Sequence, residues 1–236
     1  MNMVGLDEKT TQEWINRVEF ERARTSRPTG FPELPDIPAG RYIDEEFFAL
    51  ERANMWQRTW LYAAHIDQIP APGDFMMWSH GSAPIVIIHG DDGDVRAFYN
   101  TCRHRGAPVV RTRSGHAGKT LVCGYHGWTY DRQGELRAVT EPRDWQDVDK
   151  TCRGLIPVRC ERFANWVFVC EDADAEPLGD FIAPLARYLR HLPLDGLRLV
   201  ERRELDVRCN VKILMENFLE AYHFKLLHPG TTDRIF

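Results

Sequence analysis

The sequence has no apolar run of the eighteen or more residues that a membrane span requires, and Met1 to Lys9 lack the apolar core of a signal peptide. A cytoplasmic protein with no membrane association is therefore expected. Basic residues are not in excess either: 30 Lys and Arg stand against 35 Asp and Glu, giving a formal net charge of −5 and a pI near 6.0. They are also not blocked together, so nothing favours a nucleic-acid partner. Cysteine is sparse, with six in 236 residues. In a reducing compartment Cys152, Cys160, Cys170 and Cys209 are expected as free thiols, small buried hydrophobes rather than staples. A hydrophobic content of 43% is ordinary for a soluble globular chain, and the length suits one large domain or one and a half average ones.

What is present is concentrated between residues 102 and 128. Cys102-Arg103-His104 is followed, eighteen residues later, by Cys123-Gly124-Tyr125-His126-Gly127-Trp128. Each half offers one thiolate and one imidazole. Two sulfurs and two nitrogens could close a tetrahedral zinc site, or they could divide between two irons with the cysteines on one and the histidines on the other. A zinc finger usually pairs Cys with Cys and His with His, whereas here each half is mixed. Residues at i and i+2 of an extended segment point the same way, so Cys102 and His104 can be presented side by side.

These strings resemble the Rieske [2Fe-2S] motif, and Cys-Arg-His-Arg-Gly with Cys-Gly-Tyr-His-Gly-Trp look like its ring-hydroxylating, non-haem iron oxygenase branch. Respiratory-chain Rieske proteins carry a further Cys in each loop, and Ala107 and Tyr125 occupy those positions here. The resemblance implies a [2Fe-2S] cluster held by Cys102, His104, Cys123 and His126. Histidine ligation leaves less negative charge on its iron than thiolate does and raises the reduction potential. Trp56, Trp60, Trp128, Trp145 and Trp166 read as packing residues, with Trp128 also placed to shield the cluster from water. Arg103 and Arg105 could hydrogen-bond near the cluster or meet an acidic reductase surface.

Around this motif the periodicity predicts an α+β chain. Trp14, Ile15 and Val18 fall at helical spacing within 7–24, and prolines 28, 32, 35 and 38 make the next stretch an extended strap. Asp44 suits an N-cap for a helix over 44–58. From Trp60 to Cys170, short β-branched and aromatic runs between turn residues predict an all-β module with both ligand loops at one tip, consistent with the small antiparallel β-sandwich that the resemblance implies. Leu178 to Leu192 reads as helix and Leu197 to Cys209 as a strand of a second sheet. Three segments are expected: 1–42, helix and strap; 43–171, the Rieske domain; 172–236, the truncated start of a helix-and-antiparallel-sheet catalytic domain.

The second informative string is Glu216-Asn217-Phe218-Leu219-Glu220-Ala221-Tyr222-His223, with His228-Pro229 after four more residues. It reads as a helix stopped by Pro229, with Glu220 and His223 on one face. Five residues turn about 500°, so an undistorted helix leaves His228 about 140° from His223, and both reach one metal only if the last turn opens. The string looks like the mononuclear-iron segment of the same oxygenases. By that resemblance His223 and His228 are two ligands of a 2-His-1-carboxylate Fe(II) site, Glu220 is the carboxylate that bridges to a cluster histidine of a neighbouring subunit, and Asn217 lines the site. Aspartate is the more usual bridge; glutamate is found in branches that oxidise quaternary ammonium compounds such as carnitine. The family's Asn-Trp-Lys is Asn210-Val211-Lys212 here.

In the family the third ligand, an aspartate, lies well over a hundred residues beyond the second histidine, whereas this chain stops eight residues after His228, with Asp233 the only carboxylate downstream. The resemblance therefore implies one of two things. Either the chain is part of an oxygenase large subunit, or it is a Rieske ferredoxin-like carrier without the oxygenase step. As an oxygenase it would take electrons from a reductase or ferredoxin, act with O2 on an aromatic or quaternary-ammonium-type substrate, and assemble as a homotrimer or hetero-hexamer.

Overall fold

The computed structural model describes residues 7–232, which pack as two compact units: 7–28 with 53–200, and 29–52 with 201–232. The units are interleaved along the chain rather than consecutive. Asp233, the one carboxylate after His228, lies outside the described residues.

In the first unit a seven-stranded antiparallel sheet runs in the order β1 (Leu61–His65), β10 (Trp166–Cys170), β9 (Pro157–Phe163), β4 (Val95–Tyr99), β3 (Ile85–His89), β2 (Asp74–Trp78), β5 (Ser114–His116). A three-stranded sheet, β6 (Thr120–Val122), β7 (Thr129–Asp131) and β8 (Leu136–Ala138), carries the second ligand loop. Strand β3 shows why two cores form. Ile85 and Ile87 face one side and Val86 and Ile88 the other, and all four are fully buried. On one side they meet Met76, Val158, Val167 and Val169. On the other they meet Phe98, Leu121, Tyr130 and Leu136, and this second core also encloses Cys102 and Cys123. The ligand cysteines thus sit on a packed two-sheet interior and not on a mobile loop.

The β-branched and aromatic runs expected between Trp60 and Cys170 form β1 to β4, β6, β7, β9 and β10. Strands β5 and β8, three residues each, lacked a readable apolar alternation. The first helix, α1 (Glu8–Ala23), is capped by the Asp7 carboxylate accepting from Thr10 N at 2.9 Å. The helix expected over 178–192 is α4 (Leu178–Leu189). The strand expected over 197–209 does not form: among the described residues it joins no ladder, and Val200 and Leu205 are 97% and 84% exposed. Alternation supplies a face, but a strand also needs a neighbour to satisfy its backbone.

The second unit holds the proline-rich strap, α2 (Gly40–Ile43), α3 (Glu45–Glu51), α5 (Val211–Leu219) and α6 (Phe224–Leu227). Asp44 caps α3 as expected, accepting from Glu46 N and Phe47 N, but the helix then widens into a π turn over Arg52–Trp56. Polar stitches join α2 and α3 to α5. Lys212 Nζ meets Glu51 Oε2 at 2.7 Å beneath the rings of Tyr42 and Phe47, Tyr42 Oη donates to the Glu216 carboxylate, and Asn210 Nδ2 donates to Tyr42 O.

Candidate metal centres

The two ligand loops are built alike. In the first, Cys102 N donates to Ala107 O (2.8 Å) and Gly106 N to Cys102 O (2.9 Å); in the second, Cys123 N donates to Trp128 O and Gly127 N to Cys123 O, both at 2.9 Å. Each cysteine therefore opens a five-residue loop closed by the same two bonds. The fifth residue is a glycine in the left-handed region, Gly106 at φ 74° and Gly127 at φ 72°. At Gly127 a Cβ would also stand 2.5 Å from Thr140 Oγ1. That shared spacing, glycine four residues after each cysteine, was a readable signal that the motif analysis passed over.

The loops bring all four sequence-predicted donors together, like beside like. Cys102 and Cys123 are 3% and 2% exposed and within hydrogen-bonding reach of one another, and the rings of His104 and His126 lie 4.6 Å apart. Burial pushes the Cys102 thiol above its ordinary range, with Cys123 adding to the rise. Such a thiol ionises readily only when a cation shares the site. Burial also holds His104 below its usual value, with His126 and Arg105 contributing, which favours the neutral imidazole a metal requires. Its Nδ1 is buried and has no hydrogen-bond partner. An orphaned ring nitrogen among thiols is costly unless it coordinates, so the donor set fits a [2Fe-2S] cluster. Among the described residues, no three His, Cys, Asp or Glu side chains form a cage for a single ion.

Several residues that motif reading missed complete this site. Tyr130, fully buried, lies 3.2 Å from Cys102 Sγ through its hydroxyl and accepts from Arg103 N at 3.0 Å. Burial, reinforced by the contact with Cys102, pushes its pKa up, so the phenol remains a donor to sulfur. Trp128 stacks on His104 at 4.9 Å and 9°, the shielding position expected of it, although the histidine is that of the other loop. Trp145 stands edge-on to the same ring. Tyr125 covers His126 at 3.8 Å. No spacing rule links Tyr130 or Trp145 to a ligand loop, since the sheet and a later turn deliver them.

The second candidate centre differs from the continuous helix expected for it. Helix α5 ends at Leu219, and Glu220 is extended (φ −127°, ψ 158°). The Glu220 carboxylate then accepts from Tyr222 N, His223 N and His223 Nδ1. Glu220 and His223 thus meet across a break rather than on one helix face. The same break solves the angular problem: His223 starts α6 and His228 ends it, and their rings approach to 5.4 Å at 70°. The bond to His223 holds the Glu220 carboxyl below its usual range and leaves His223 Nε2 as the available ligand nitrogen. Asn217 is exposed on α5, one turn before this group.

Comparison with known proteins matches two segments of the chain. Residues 59–152 match the Rieske [2Fe-2S] domain, and residues 194–236 match the ring hydroxylating alpha subunit (catalytic domain). In sequence and fold the chain is similar to the N-terminal portion of the large subunits of Rieske-type ring-hydroxylating oxygenases. Relatives of two kinds are among the matches. The large oxygenase component of the 2,4-dinitrotoluene dioxygenase system of Burkholderia sp. (strain RASC) is 38% identical over 80% of this chain and 43% of its own length. The glycine betaine monooxygenase oxygenase subunit of Chromohalobacter salexigens is 33% identical over 82% and 43%. The chain thus spans under half the length of these relatives. Among solved structures, a naphthalene 1,2-dioxygenase bound to phenanthrene superposes with a TM-score of 0.72 (37% identity, 78% of this chain, 43% of that one). A quaternary ammonium Rieske monooxygenase with L-carnitine gives 0.77 (28% identity, 86% and 61%). No helix among the described residues is long and apolar enough to cross a membrane.

Proposed function

We propose that this chain is the cluster-bearing and iron-binding part of an oxygenase component that hydroxylates an aromatic or quaternary-ammonium-type substrate with O2. Cys102 and Cys123 would hold one iron of a [2Fe-2S] cluster, and His104 and His126 the other. His223 and His228 would supply two ligands to Fe(II), and Asn217 would line that site. When bound, the cluster supplies one-electron transfer, and ferrous iron with open positions supplies O2 binding. The electrons come from a reductase or ferredoxin. Glu220 orients His223 through Nδ1 and, in a trimer or hetero-hexamer, would bridge to a cluster histidine of a neighbouring subunit. The three functional segments on this reading are 1–42, 43–171 and 172–236.

The observation that carries this reading is the pair of matched loops that deliver two thiols and two imidazoles, with His104 Nδ1 buried and unpartnered. Anaerobic reconstitution with iron and sulfide tests it. A visible chromophore with two irons and two acid-labile sulfides per chain is expected; a colourless protein holding one zinc and no sulfide overturns it. A second reading is a Rieske ferredoxin-like carrier without the oxygenase step. Substrate-dependent O2 uptake with a reductase supports the oxygenase; a reducible cluster without mononuclear iron supports the carrier.

A further inference from the structure

The two ligand loops are closed alike but held differently. The second sits at the end of a hairpin: Val122 pairs with Thr129 across β6 and β7, and the next residues in, Cys123 and Trp128, close the loop. The first follows β4 and has no such partner strand. Asn100 N reaches Pro84 O at 2.8 Å as a last rung beyond the Ile85–Tyr99 pair. From Thr101 to Val110 the chain then joins no strand ladder among the described residues.

One buried side chain stands in for the missing ladder. Asn100, 6% exposed, turns its amide toward the far end of the first loop. Its Oδ1 accepts from Val109 N and Val110 N, both at 2.9 Å, and its Nδ2 donates to Val110 O at 2.8 Å and to Met77 Sδ at 3.4 Å. A side-chain amide has two acceptor lone pairs and two N–H donors, and all four are engaged here. The two backbone N–H groups fix which end is oxygen, since only a carbonyl can accept from them. Val109 and Val110 are thereby pinned into the core that encloses Cys102 and Cys123, and the inner five-residue loop lies within an outer ring from 100 to 110. A carboxylate of the same shape would keep the accepting bonds, lose both donors and set its charge against Val110 O. Leucine would fill the space and leave two buried N–H groups and a carbonyl unpaired.

We propose that Asn100 is the positioning residue of the first half-site: its side chain holds the loop in the shape that presents Cys102 and His104 before any iron arrives. The β6–β7 hairpin performs that task for Cys123 and His126. The proposal rests on the cluster reading above and adds which residue sets the loop that lacks a hairpin. Asn100 acts through the backbone of 109 and 110, and preorganising the loop in this way lowers the ordering cost of ligation.

Hydrogen exchange of the metal-free full chain tests the clamp, and iron release from the reconstituted chain tests its consequence. In the parent, the amides of Val109 and Val110 should be protected although they lie outside every ladder. In Asn100→Leu, which keeps the bulk and makes none of the four bonds, both should exchange at least about tenfold faster, while amides of β3 and β7 keep their rates. Reconstituted Asn100→Leu should lose iron to a chelator about tenfold faster, and the EPR spectrum of its reduced cluster should broaden as His104 ceases to take a single orientation. Asn100→Asp, which keeps the accepting bonds, should fall between parent and Leu in both measurements. A Leu variant that behaves like the parent means that Asn100 only fills space, and overturns the proposal. So do unprotected amides at 109 and 110 in the parent, or equal acceleration in both loops. If Asn100→Leu takes up no cluster while β3 stays protected, the clamp is supported; if β3 protection is lost as well, Asn100→Asp decides on the same two measurements. A parent chain that forms no cluster overturns the functional reading, whereas exchange at 109 and 110 judges the clamp separately.

Discussion

Tyr130 shows how much a single residue outside a motif can set at a metal centre. Its hydroxyl is placed on the ligand sulfur of Cys102, and its own position is fixed by accepting from Arg103 N. A hydrogen bond to thiolate sulfur favours the more negatively charged, reduced state, so it raises the reduction potential. Tyr130→Phe should therefore lower the cluster potential. A bond worth about 1 kcal/mol corresponds to about 40 mV for a one-electron couple. Spectroelectrochemical titration of the reconstituted chain reads this directly, and an unchanged or higher potential would refute the assignment. The phenyl ring still fills the fully buried site, so iron and sulfide content should stay the same.

At the scale of elements, helix α5 is positioned by polar contacts more than by burial, because none of its residues is buried. Lys212 and Glu51 keep only 21% and 14% of their side-chain surface open, and Tyr42 and Phe47 cover the ammonium. Glu51→Ala leaves that cation part-buried without its carboxylate and should destabilise the α5 docking by about 2 kcal/mol. Hydrogen exchange resolves this: amides of 213–219 should exchange faster in the variant, while those of β3 keep their protection. This contact was not legible in the sequence, since Glu51 and Lys212 lie far apart and belong to no motif. The same division runs through the molecule. Ligands carried by local spacing, such as Cys102 with His104, could be read directly, as could the β-branched runs of β3 and β4. The break after Leu219 could not, because composition predicts a continuous helix and only the Glu220 carboxylate, turned back onto the next backbone amides, stops it. The missing strand over 197–209 is the converse case, a pattern with no neighbour to pair.

For the whole molecule, two properties follow from where titrating groups lie in the assembled fold. The edge strand β5 is joined to β2 by the register pair Asp74 and His116, with His116 Nδ1 2.9 Å from Asp74 Oδ1. This bond holds the Asp74 carboxyl below its ordinary 3.8. A depressed carboxyl stabilises the fold above its unfolded value and loses that contribution as pH falls through the folded one. Asp74→Asn should thus be less stable than the parent at neutral pH, with the gap narrowing below pH 3.8 in acid-denaturation curves.

The six thiols give the last test, because their reactivity reports both packing and metal loading. Cys152 and Cys209 are exposed. Cys160, on β9, keeps part of its surface open, but burial around the sulfur, aided by Glu161, pushes its pKa up to about 12. Relative to the ordinary 9.0, that removes about a thousandfold of thiolate at neutral pH, and thiolate is the reacting form. Cys170 is buried and its thiol is likewise raised. With the cluster loaded, titration with a disulfide reagent should therefore show fast reaction at Cys152 and Cys209 alone, located by peptide mapping. Stripping the iron with a chelator should add Cys102 and Cys123 as a slower pair, since both are nearly enclosed by the core even without coordination. Cys160 and Cys170 should wait for denaturant. Labelling of Cys102 and Cys123 at equal rates before and after iron removal would mean that their sulfurs do not coordinate, whatever colour the protein shows.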